Sequence, residues 1–246
     1  MLKGVVAASL KTITFNDDPA LQSIDRSYCT THQYCNDQAL IILQENGFIH
    51  EVMLLRAYYE QLQDGVVWAD LNWKNIHHFL HPQTRRGFWH FSNAALDYLQ
   101  CINTAMKYVR QGCMREAIFY LGAAAHLVQD MCVPHHAKCQ LFDGHKKYEV
   151  WVEKNLQDFS FTQKGEIYIS NPVGILFENA ATALDLYSYV NAEASVVQYK
   201  KATEVLLTLA NQSTANLFCY FFAKVKKNMG VSSLGSLLDT GLCLNI

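Results

Sequence analysis

Between His126 and Glu149 the chain twice sets an imidazole and a carboxylate four residues apart, as His126 with Asp130 and His145 with Glu149, around a Pro134-His135-His136 step. Residues four apart on a helix lie on one face, one turn from each other, close enough to share a metal ion. Zinc accepts neutral imidazole nitrogen and carboxylate oxygen, and sites that keep positions open for water are the catalytic ones. A single His-x-x-x-Asp is more often a surface or hydrogen-bonded core pair. Two of them flanking a Pro-His-His predict a metal site carried on helices. The apolar neighbours of His126 and Asp130 place both groups in the interior, where an unpaired carboxylate is costly and a metal ion removes that cost.

The rest of the chain suits a helical scaffold. Four prolines and twelve glycines in 246 residues are few for a strand-and-turn protein, so an all-α fold is expected, built as a single domain over residues 1–246. Within it, residues 1–22 form an N-terminal segment of undetermined structure and residues 230–246 a Gly/Ser/Leu-rich tail. A hydrophobic fraction of 50% and a charged fraction of 17% exclude a disordered chain. With a net charge of −2 and no basic block, a phosphate-backbone binder is not indicated, and an anionic substrate must be captured locally. Eight cysteines form no C-x-x-C pair; Cys132 and Cys139, which flank the histidines, read as small core residues. No run of eighteen apolar residues offers a membrane span. The N-terminal MLKGVVAASLK is not a convincing signal peptide.

Helical spacing is legible along most of the chain. A first helix begins with Thr30 or Thr31 as cap and ends at Gly47, with His32 at its start. A second covers residues 50–63. The aromatic, histidine-rich stretch that follows, with Asp70, His77, His78 and His81, reads as an irregular functional segment. Helices are expected over about 92–110, with Asp97 on its polar edge, then 115–130 and 145–157. After a loop or short hairpin up to Pro172, two more should cover about 172–190 and 193–226. The end of the last, FCYFFAKVKK, is core by default, with a membrane-surface helix as the lesser alternative.

FYLGAAAHLVQDMCVPHHA resembles the FYLG-x-x-x-H-x-x-x-D-x-x-x-P-x-H-A signature of the bacterial zinc-dependent phospholipases C, relatives of the single-strand-specific zinc nucleases. GHKKYE is similar to their H-x-K-Y-E element, GVVWAD carries their essential aspartate at Asp70, and HHFLHP resembles their H-F-x-x-P element. The likeness runs over about residues 28–155. It implies an all-helical domain with a zinc cluster in a cleft. His78, His126 and Asp130 would hold one ion, with Asp130 bridging to a second that also takes His32. His136, His145 and Glu149 would hold a third. The motifs select His136 over His135 and His78 over His77. Asp70, outside the metal shell, would orient or deprotonate the attacking water.

Two departures from the family pattern stand out. The family's mature chain opens with a tryptophan that chelates the ion bound by the N-terminal histidine, and no tryptophan precedes His32 here. Two or three zinc ions are therefore expected: either Asp17 or Asp18 replaces the tryptophan donors, or a differently processed N-terminus does, or the site holds only two tightly bound metals. Leu71 and Asn75 stand near where family members place aromatic residues against choline, so phosphatidylcholine preference does not carry over. The resemblance implies a phosphodiesterase that releases a phosphorylated head group from a glycerophospholipid, secreted or at the cell surface and in peripheral contact with membrane, while the N-terminus leaves a cytoplasmic location open. The competing readings are a zinc nuclease on single-stranded nucleic acid, disfavoured by Glu149 and the lack of a basic patch, and a non-catalytic zinc-stabilised domain binding lipid or protein.

Overall fold

The computed structural model describes residues 29–90, 93–159, 167 and 172–230. Among them all regular structure is helical: α1 Thr30–Glu45, α2 Ile49–Ala57, α3 Tyr59–Asp70, α4 Ala94–Arg110, α5 Met114–Asp130, α6 Pro134–Lys138, α7 His145–Asn155, α8 Pro172–Asp185 and α9 Val196–Met229, with short 3-10 turns between them, one of which is Asn72–His77. The expected N-terminal segment, the donors Asp17 and Asp18, the loop or hairpin before Pro172 apart from its two ends, and the tail beyond Gly230 lie outside the described residues.

The core forms around α5. From Leu121 to Asp130 every residue of this helix is buried, because it packs against α3, α4 and α9. An isolated helix this apolar on all sides would not stay in solution; enclosed by three others it becomes the centre of the bundle. The α3–α5 crossing is the tightest contact. A Cβ at Gly65 would collide with the carbonyl oxygen of Phe119, and one at Gly122 with that of Leu62, so the two backbones meet with no side chain between them.

That contact explains one departure from the sequence reading. Rather than a helix over 50–63 followed by irregular chain, the helix breaks at Tyr58 and α3 continues through Asp70. Gly65 is a point of close approach inside α3, so its helical penalty is offset by packing. The N-terminus of α1 also differs. Thr30 and Thr31 lie inside the first turn, and the N-cap is Cys29, left-handed at φ 63° with no side-chain cap. Elsewhere caps act in the usual way: Leu96 N donates to Asn93 Oδ1 at 3.1 Å to open α4, and Ser195 and Gln198 form a reciprocal capping box on α9.

The end of α9 is core. Phe218, Cys219, Phe221 and Phe222 are buried, and Lys226 turns back to the buried Glu51 at 2.6 Å, so the membrane-surface alternative for this stretch does not hold. Cys35, Cys132 and Cys219 are buried free thiols, whereas Cys29 and Cys139 are partly exposed. No helix among the described residues is long and apolar enough to cross a membrane.

Candidate metal centre

Six elements converge on one end of α5. His32 comes from the first turn of α1, Asp70 from the last residue of α3, and His78 from the chain just after the 3-10 turn. His126 and Asp130 come from α5, His136 from α6, and His145 and Glu149 from α7. All eight sequence-predicted residues meet here. Donor atoms of His32, His126 and Asp130 lie within 4.8 Å of one another, as do those of Asp70, His78 and His126, and those of His136, His145 and Glu149. His126 is common to the first two groups, and Asp130 Oδ2 reaches to 3.8 Å from His136 Nδ1, joining them to the third. Asp70, expected outside the metal shell, stands at ligand distance from His78 and His126.

The donors are close without bonding one another. His78 Nδ1 is 2.8 Å from Asp130 Oδ2 and His145 Nε2 is 2.9 Å from Glu149 Oε1. Yet His78 Nδ1, Asp130 Oδ2 and His145 Nε2, all buried, have no aligned hydrogen-bond partner. Buried polar atoms left in this state are rare and costly. A cation between them would take all the lone pairs at once. The residues therefore fit zinc by both donor type and arrangement.

Outer partners fix the rings. The Gln129 amide donates to Asn36 Oδ1 at 3.0 Å and to Thr214 Oγ1 at 3.1 Å, so its carbonyl oxygen is left to accept. It lies 2.9 Å from His32 Nδ1, which must carry the proton. His32 Nε2 is thereby freed as an acceptor, 3.5 Å from Asp130 Oδ1. His136 Nδ1 donates to the His78 carbonyl at 2.9 Å, which leaves its Nε2 toward Glu149 at 3.7 Å. The neighbouring histidines serve elsewhere. His77 pairs with Asp97 at 3.0 Å, and His135 Nε2 donates to the Asp143 carbonyl at 3.0 Å while its ring stacks on His145. Gln129 was not singled out from the sequence, although a glutamine in the apolar run before Asp130 is itself a signal of a buried polar network.

Without metal, protons take the place of cations. Burial would lower the His126 pKa, but Asp130 outweighs it and holds the ring well above its ordinary value. Burial likewise opposes the rise at His136, where Asp130 and Glu149 win and lift it to about 9. His32, where burial dominates, is lowered to about 4, and burial also lowers His78. Asp130 is held well below the carboxylate range: burial raises it, but His136 and His126 more than compensate. Glu149 is lowered in the same way, against burial, by His136 and His145. A cavity of about 530 Å³ opens beside these groups, lined by His32, Asp70 and Glu149 and by the apolar Val152, Leu206 and Leu207.

Known proteins resemble this chain in sequence and in fold. The family described as zinc dependent phospholipase C matches residues 31–212. A phospholipase C of Clostridium perfringens is 25% identical over 257 residues, covering 86% of this chain and 64% of its own length. Among solved structures, an alpha-toxin of an avian Clostridium perfringens strain aligns with a TM-score of 0.66 at 20% identity, covering 80% of this chain and 64% of that one. The alpha toxin of Clostridium absonum aligns with a TM-score of 0.71 at 19% identity, covering 82% and 65%. The chain thus spans just under two thirds of the length of these relatives.

Proposed function

The chain belongs to the zinc-dependent phospholipase C family, and from that premise we propose that it is a phosphodiesterase cleaving glycerophospholipid to diacylglycerol and a phosphorylated head group. The observation that carries this reading is that one member of each donor group, His32, Asp70 and Glu149, lines a single cavity that Val152, Leu206 and Leu207 also line. A phosphodiester is an anion with a poor leaving group, and adjacent divalent ions are the arrangement that neutralises it.

His78, His126 and Asp130, with Asp70 beside them, would hold one ion, His32 with the other oxygen of Asp130 would hold a second, and His136, His145 and Glu149 would hold a third, which gives two or three in all. When bound, zinc supplies charge neutralisation and a water acidic enough to ionise near neutral pH. The chain's own residues do the remainder. Asp70 is exposed on the cavity side, so the oxygen not turned to the cluster can accept the proton of the attacking water. Lys146, 3.9 Å from Glu149 Oε2 at the rim, adds a positive charge that draws the phosphate in. The apolar wall of Val152, Leu206 and Leu207 suits the glycerol and first acyl carbons of a lipid, whose longer tails stay in the membrane. This places the protein in peripheral contact with membrane, and family resemblance favours export.

The test is hydrolysis by zinc-reconstituted protein of mixed phospholipid vesicles, p-nitrophenyl phosphorylcholine and single-stranded DNA, with zinc counted by elemental analysis. Lipid cleavage that Asp70→Asn abolishes is the expected result. DNA cleavage alone would move the protein to the nuclease branch, and bound zinc with no turnover would make it a binding domain.

A further inference from the structure

Outer hydrogen bonds fix two of the ligand rings, His32 through Gln129 at 2.9 Å and His136 through the His78 carbonyl at 2.9 Å. His145 is held in another way. Among the described residues its polar neighbour is Glu149, and otherwise rings enclose it. His135 stacks on it at 4.8 Å with the planes 15° apart, while His136 and Phe79 meet it edge-on at 4.8 and 6.5 Å. Resting on the metal-centre reading above, we propose that His135 is a positioning residue: it binds no ion, and its ring holds the His145 imidazole in the orientation that the third ion requires.

His135 is itself immobilised, as a support must be. Its side chain is fully buried, its Nε2 donates to the Asp143 carbonyl at 3.0 Å, and the Tyr187 ring closes against it at 5.3 Å and 66°. Asp143 is clamped in turn. Its Oδ2 accepts from the Tyr187 hydroxyl at 2.6 Å and its Oδ1 from the Ala192 amide at 3.2 Å. A Cβ on Gly144 would stand 2.8 Å from the Ala192 nitrogen, so the turn that leads into α7 rests directly on the backbone of residues 191–192. Tyr187 thus touches both the His135 ring and the residue whose carbonyl that ring bonds.

The position of His145 shows why support is needed. It is the first residue of α7, behind Gly144, which has no side chain to cap the helix. Helix ends fray, so a ligand placed there must be steadied from outside its own helix. Offset parallel rings at this separation attract, and the stack stops the imidazole from swinging away from Glu149. The nitrogens of His135 point to the same role. Nδ1 is buried with no hydrogen-bond partner, and His135 joins none of the donor groups. A buried orphan nitrogen is costly; what the residue supplies in return is a flat face, held in place by Nε2–H.

The experiment titrates zinc on the full chain by competition against a chromophoric chelator, with circular dichroism verifying that each variant is folded. His135→Leu fills the space without a flat face; it should weaken one ion ~10–100-fold, the range for an outer partner, and leave the others at wild-type affinity. His135→Phe restores the face without the nitrogens and should recover that affinity, which a loss of packing alone would not distinguish. In a His145→Ala background, His135→Leu should cost nothing further, because it acts through that ring. Wild-type affinity for every ion in folded His135→Leu, no recovery in His135→Phe, or a loss that adds to that of His145→Ala overturns the assignment while leaving the metal centre intact. No zinc bound by the wild type would overturn both.

Discussion

His78 Nδ1 and Asp130 Oδ2 stand 2.8 Å apart, buried and unbonded. Two acceptors brought this close repel unless something positive lies between them, so the fold holds a shape that only a cation or a proton completes. Asp130→Asn keeps the shape and removes the charge that four imidazoles face. The variant should lose zinc from the His32 and His78 side of the cluster, by more than the ~10–100-fold in affinity that an outer partner is worth. Competition against a chromophoric chelator measures this directly.

For Asp70→Asn, the expectation is a fall in turnover of ~10²–10⁴-fold, the range for a lost general base, with zinc at the His136, His145 and Glu149 group retained. Unaltered turnover in a folded, zinc-loaded variant would remove Asp70 from the chemistry.

Gln129 touches no proposed ion, yet its amide dictates which nitrogen of His32 carries the proton. Gln129→Leu should weaken the His32 ion ~10–100-fold and leave the α7 group unchanged. Zinc counts at graded free-zinc concentrations separate the two.

Zinc uptake should release protons. In the metal-free protein His136, at about 9, is charged at neutral pH, whereas Asp130 and Glu149 are already ionised. The metal needs the imidazole lone pair, so affinity rises with pH and levels off as the pH passes that value. The stability of the metal-free fold runs the other way. A raised histidine contributes fully below its unfolded value near 6.5 and loses that contribution as the pH rises through about 9. Calorimetry in buffers of different ionisation enthalpy counts the protons; zero release at pH 7 would contradict the charge arrangement.

Gly122→Ala places a methyl group against the Leu62 carbonyl. Overpacking against backbone, which cannot rotate aside, should cost about 3 kcal/mol or more in thermal or denaturant unfolding.

The helical fold and most of the eight candidate residues that it brings together were readable because their signals are local. Helical spacing, the His-x-x-x-Asp and His-x-x-x-Glu pairs, and the motif contexts that distinguish His78 from His77 and His136 from His135 all lie within a few residues of one another. What escaped was set by contacts distant in sequence. Gly65 looks like a helix end until α5 is brought against it. Asp70 looks like loop for the same reason, and its approach to His78 and His126 cannot be seen until α3 is extended. Gln129 acquires its role only from Asn36 and Thr214, and the left-handed N-cap at Cys29 was hidden because Thr30 and Thr31 are better capping residues.

The α3–α5 crossing has a further consequence. Asp70 lies five residues beyond Gly65, and His126 four beyond Gly122, so each stands just over one turn past a junction where backbone rests on backbone. Side chains can be exchanged for larger or smaller ones during evolution; bare backbone contact offers nothing to exchange. The ends of α3 and α5 that carry these ligands are therefore frozen against drift, and adaptation to a new head group must come through α9, which carries no ligand and whose Leu206 and Leu207 line the cavity.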